Sequence, residues 1–96
     1  VDKEQKIVRD VINSVMCNYY LDIENIAEKH KSSISEIVDI IDFSEDKFQD
    51  FIDDNLLTID NYKLTIFKKG RLFTRNIAMR FDPLIKQNVG TYSNTI

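Results

Sequence analysis

A mainly α domain carrying a small β-hairpin, winged-helix-like with an additional terminal helix, is the fold class this sequence predicts. Three observations predict it. Apolar residues recur at helical spacing through positions 4–52, and two short alternating runs meet at Asn61. A last helical stripe of Phe73, Ile77, Phe81 and Leu84 follows them. With 96 residues and 43% apolar content, the chain has material for one domain, 1–96, around one modest core.

The first helix spans 4–18, where Ile7, Val8, Val11, Ile12, Val15 and Met16 form adjacent pairs every four residues. Asp2 with Gln5 three positions on reads as its cap, and Asn18 with Tyr19 and Tyr20 ends the pattern. Asp22 caps a second helix that turns Ile23, Ile26 and Ala27 inward and ends on Lys29, His30 and Lys31. A third begins near Ser35, capped by that hydroxyl, with Ile34, Ile37, Val38 and Ile41 inward. Ser44 opens a fourth, its first turn carrying Glu45 and Asp46 and its apolar face Phe48, Phe51 and Ile52. Strands at 56–60 and 62–67 follow, with Asn61 tolerating the positive φ of a tight turn. That hairpin is too little sheet to stand alone. Gly70 leads into the last helix, Asp82-Pro83 bends or restarts it, and 90–96 reads as a flexible tail.

Charge is unevenly spread. The net charge of −3 conceals twelve acidic against three basic side chains in 22–60, a net of −9, and seven basic against one acidic in 61–96, a net of +6. The basic end can fold onto the acidic middle, or two faces of opposite sign can meet a partner or an anion. In the last helix Arg71, Arg75, Ala78 and Asp82 fall within one wedge. Two arginines four apart repel slightly, so an anion belongs between them: Asp82, the acidic middle, or a ligand. Asn18 and Asn76 stand among apolar residues, and a buried amide there needs partners. Asn18 is expected to fix the turn after the first helix, and Asn76 to reach that 16–20 turn from the last one.

Several classes are excluded. No stretch of eighteen apolar residues spans a membrane, and residues 1–5 are too charged for a signal sequence. One cysteine allows neither an internal disulfide nor a multi-cysteine metal site, so a reducing, cytoplasmic setting is expected. Cys17 reads as a small buried hydrophobe, and His30, lacking a histidine partner, as a solvent-facing residue at a helix end. Gly70 and Gly90 are the only glycines, too few for a phosphate-binding loop. Nucleic acid is excluded as partner because segment 45–55, just before the hairpin, holds five acidic residues and only Lys47 basic.

Two blocks carry a resemblance. Arg9-Asp10-Val11-Ile12, then Met16-Cys17-Asn18-Tyr19 and Leu21-Asp22, resemble the start of the C-terminal domain of oxygen-independent coproporphyrinogen III oxidases. Gly70-Arg71-Leu72-Phe73-Thr74-Arg75-Asn76-Ile77-Ala78-Met79-Arg80-Phe81-Asp82 is similar to that family's terminal signature, G-R-L-x-x-R-N-I-x-M-x-F-D, and Tyr92-Ser93-Asn94-Thr95-Ile96 to its ending. Residues 32–55 share only hydrophobic rhythm with the family, and Pro83 departs from its pattern. The resemblance implies a C-terminal accessory domain of a radical S-adenosylmethionine enzyme of haem synthesis. Such an enzyme converts two propionates of coproporphyrinogen III to vinyls, giving protoporphyrinogen IX. It also implies a catalytic barrel in the same polypeptide, holding a [4Fe–4S] cluster and S-adenosylmethionine. This chain has one cysteine and no C-x-x-x-C-x-x-C motif, so no cofactor is expected in it and the isolated fragment is expected to be inactive. Arg71 and Arg75 are then expected to touch substrate or barrel, with Asn18, Asn76 and Asp82 structural. Two other readings stand beside this one: a free-standing winged-helix module that binds a basic protein, and a haem-chaperone-like relative.

Overall fold

Asp2 starts the first helix by accepting the amide of Gln5 at 2.8 Å, and α1 runs over Lys3–Asn18 with Ile7, Val11 and Val15 fully buried. The computed structural model describes residues 2–81. Tyr19 ends α1 in the left-handed region at φ 56°, its amide bonded to the Val15 carbonyl. A three-residue strand, β1 (Tyr20–Asp22), follows directly. Asp22 then accepts from the Asn25 amide and opens α2 (Ile23–Lys29), which buries Ile23, Ile26 and Ala27.

Helix α3 (Ile34–Ile41) is capped by Ser33, not by Ser35. The Ser33 hydroxyl accepts the Glu36 amide at 3.1 Å while Glu36 accepts the Ser33 amide at 3.2 Å, a reciprocal box that Ser35 lacks the glutamate to make. Ile37 and Ile41 are buried, and Ile34 and Val38 are half-buried against the core. The expected fourth helix comes in two pieces, a 3₁₀ turn at Asp46–Phe48 and α4 at Gln49–Asp53. Ser44 accepts the Lys47 amide at 3.4 Å, as a cap should.

The hairpin consists of β2 (Leu57–Asp60) and β3 (Lys63–Ile66). Its two-residue turn places both Asn61 (φ 54°) and Tyr62 (φ 64°) in the left-handed region, the geometry that matches strand twist. Beyond the hairpin, β1 pairs antiparallel with β3, Leu21 opposite Leu64, so the sheet order is β1-β3-β2. Leu21, Leu64, Leu57 and Ile66 fill its inner face.

The terminal segment is not one helix. Lys68–Phe73 forms a 3₁₀ helix and only Thr74–Met79 is α-helical, here α5. Buried Thr74 bonds the Arg71 carbonyl at 2.8 Å across the junction. Gly70 is buried against the hairpin for want of room: a Cβ there would collide with the Leu56 carbonyl oxygen and lie 3.1 Å from Ile66 Cγ2. Packing of α5 on α1 closes the molecule, and Phe81 stacks with Phe43 (6.4 Å, 7°) and tilts on Phe48 (5.1 Å). Of the expected apolar stripe, Ile77 and Phe81 are buried and Phe73 is exposed, while Leu84 lies outside the described residues.

Candidate functional site

The basic terminal segment carries the two arginines that the sequence singles out. In a straight helix Arg71 and Arg75 would stand about 40° apart. The tighter winding of the 3₁₀ helix over 68–73 opens that angle to about 80°. The structure therefore separates the two side chains. Arg71 lays its guanidinium over the Tyr19 ring, 4.3 Å from the centroid, a cation–π contact that joins the terminal segment to the end of α1. Arg75 is exposed on α5 and has no side-chain partner among the described residues.

Arg80 makes the ion pair that the arginine wedge suggested, from a position the sequence reading passed over. Its guanidinium forks onto Asp50 with both N···O distances at 2.8 Å, donates to the Lys47 carbonyl at 2.7 Å and covers the Phe51 ring at 4.2 Å. These hydrogen bonds hold the Asp50 carboxyl below the ordinary carboxylate range. A planar fork facing a carboxylate seven residues before the hairpin is a tertiary contact, and the only sequence hint is the charge split itself. Lys47 meanwhile donates its ammonium to the Ile41 and Asp42 carbonyls at the end of α3.

Asn18 and Asn76 are exposed, so the buried, bonded amides expected of them are not found. Asn18 precedes the left-handed Tyr19, whose own backbone makes the turn. Asn76 faces outward because Thr74, Ile77 and Ala78 occupy the inner side of α5. Asp82 lies outside the described residues, as do Pro83 and the tail at 90–96. Cys17 is exposed rather than buried. His30 is turned inward, its Nε2 2.7 Å from Asp10, which Lys29 also meets at 3.1 Å. Burial pushes the Asp10 carboxyl up, but the bonds to His30 and Lys29 outweigh it and leave it below the usual range. No group of three or more His, Cys, Asp or Glu side chains able to hold a metal occurs among the described residues. No described helix is long and apolar enough to cross a membrane.

Fold and site together define a mainly helical, winged-helix-like domain with an exposed acidic middle and a basic terminal segment. Its known relatives are specific. The chain is similar to oxygen-independent coproporphyrinogen III oxidase of Escherichia coli K12, at 32% identity over 87 residues, and to that of Salmonella typhimurium LT2, at 31%. It also superposes on the solved structure of coproporphyrinogen III oxidase from Escherichia coli, described as a radical SAM enzyme. That match has a TM-score of 0.73 at 30% identity and covers 88% of this chain and 19% of that one. The chain spans about 18% of the length of the curated relatives it matches, as a domain of a larger protein would. No family model matches it.

Proposed function

We propose that this chain is the C-terminal accessory domain of a longer, cytoplasmic oxygen-independent coproporphyrinogen III oxidase. That enzyme would oxidatively decarboxylate two propionates of coproporphyrinogen III to vinyls, giving protoporphyrinogen IX. The observation that carries the reading is agreement of sequence and fold over 88% of the chain with a single kind of enzyme. The domain sits near the mouth of the catalytic barrel of the same polypeptide and helps to close over or position substrate. Guanidinium groups suit this task, because they meet carboxylates in bidentate fashion and the substrate carries four propionates. Arg75, without a partner among the described residues, is the better placed of the two arginines; Arg71 already rests on Tyr19.

Radical chemistry belongs to the barrel. One cysteine cannot furnish the three thiolates that hold a [4Fe–4S] cluster open to S-adenosylmethionine, so the residues present here do not fit those groups. The purified 96-residue chain should therefore release no protoporphyrinogen from coproporphyrinogen III, whereas the full-length protein, assayed without oxygen, should. Arg75→Ala in the full-length protein should weaken substrate affinity and leave thermal stability unchanged. A large loss of stability with unaltered affinity would remove Arg75 from substrate contact and make it a docking residue.

A further inference from the structure

We infer that Arg71, stacked on Tyr19, is a pre-shaped seat for one carboxylate, and that its occupant is a propionate of the tetrapyrrole that survives the reaction. This rests on the reading proposed above and deepens it by naming which group of the substrate the domain holds. Arg80 and Arg71 both lie over aromatic rings, Arg80 over Phe51 at 4.2 Å and Arg71 over Tyr19 at 4.3 Å. A ring covers only the face of a guanidinium and leaves the N–H groups in its plane free to donate. Arg80 turns that edge onto Asp50, with two bonds of 2.8 Å. Arg71 has the same stacked geometry, yet no acceptor among the described residues takes its edge. Residues 61–81 contain no acidic side chain, so the carboxylate that matches it comes from outside this segment.

The seat is held firmly. Tyr19 sits in left-handed backbone at φ 56°, its amide bonded to the Val15 carbonyl at 3.1 Å and its carbonyl to the Ile66 amide at 2.9 Å. Helix α1 and strand β3 therefore both fix the ring on which Arg71 rests. Lys68 adds positive charge on the same side, because residues three apart in a 3₁₀ helix eclipse one another. Arg75 diverges from Arg71, so the two do not clasp one carboxylate between them. Chemistry then selects the propionate. Two of the four in coproporphyrinogen III leave as carbon dioxide and two remain. A bidentate fork stabilises a carboxylate and does nothing for the neutral carbon dioxide it would become. Gripping a departing propionate would thus raise the barrier to its loss. A retained one is held equally in substrate, transition state and product, and anchors the ring without touching the reacting group.

Steady-state kinetics of the full-length protein, without oxygen, test this. Arg71→Ala should raise KM for coproporphyrinogen III about tenfold or more, as loss of a charge-assisted contact does, with kcat little changed. Competitive inhibition by protoporphyrinogen IX should weaken by the same factor, since the product keeps the gripped group. Arg71→Lys should recover only part of the affinity, because an ammonium lacks the fork. Tyr19→Leu, which keeps the guanidinium and removes its platform, should raise KM less than Arg71→Ala. Unchanged KM in these variants would overturn the proposal, and a lowered melting temperature beside it would make the occupant a carboxylate of the protein itself. A fall in kcat at unchanged KM, or a raised KM with product inhibition unaltered, would overturn it by placing Arg71 on a propionate that is lost. Failure of the enzyme reading has a different signature: the unaltered full-length protein would neither bind nor oxidise coproporphyrinogen III, and this proposal would fall with it. Failure of the proposal alone would leave that oxidation intact.

Discussion

Arg80 ties the end of α5 to the 47–51 stretch through three contacts of one side chain. Its fork on Asp50, its bond to the Lys47 carbonyl and its cover over Phe51 act together, so Arg80→Ala should cost about 1–2 kcal/mol in urea unfolding, although the ion pair is partly solvated. Arg80→Lys should recover little, because an ammonium cannot make the planar double contact. Asp10 contributes to the response to acid. Its folded carboxyl titrates below the unfolded value of about 3.9, so between the two the unfolded chain binds more protons. Its contribution is complete above the unfolded value and disappears as pH falls through the folded one. Asp10→Asn should therefore flatten the fall in melting temperature on acidification below about pH 4. Neither contact was legible from sequence, because Asp10 with His30 and Asp50 with Arg80 are brought together only when helices pack. The sequence did show that Asn18 and Asn76 had apolar neighbours, but neighbours along a helix lie on different faces, and both amides point outward.

At the scale of elements, Gly70 decides whether the terminal segment can lie against the hairpin. The Leu56 carbonyl that a Cβ would strike is already held by the Phe67 amide at 2.9 Å and cannot easily move aside. Gly70→Ala should therefore lower unfolding free energy by about 1–3 kcal/mol, the usual cost of an overpacked contact, measured by chemical denaturation. Long amphipathic elements were legible: α1, α2 and the hairpin follow from spacing, Asp2, Asp22 and the Asn61 turn. Short ones were not. Three residues of β1 show too little alternation to be read, and they are a strand only because β3 offers an edge. The 3₁₀ winding of 68–73 was equally hidden, since the residues Phe73, Ile77 and Phe81 keep a helical rhythm that the backbone does not follow.

For the molecule as a whole, Phe81 is the keystone between the middle and last parts of the core. It is buried, stacks on Phe43 and tilts against Phe48, so Phe81→Ala should cost about 3–5 kcal/mol and shift the thermal transition accordingly. For a domain this small, that is a large share of the total stability, and most of the molecules should unfold well below the normal transition. The dipolar charge pattern allowed either internal neutralisation or two outward faces. The folded chain does both: Arg80 meets the acidic middle from within, while Arg75 and the leucine beside Arg71 face out.

The middle strand of the sheet is also the one made last. At roughly 5–20 residues per second, a ribosome needs about 2–8 s to travel from Asp22 to Lys63. Throughout that interval β1 has no strand to pair with, and α1 still lacks the helix that will cover it. The nascent chain cannot store a finished half while the rest is synthesised. Once β3 emerges, the hairpin can form locally and then capture β1, with α5 closing over α1 afterwards. Any stall in translation between those two strands should thus leave an unprotected, protease-sensitive chain, with no stable intermediate to shelter it.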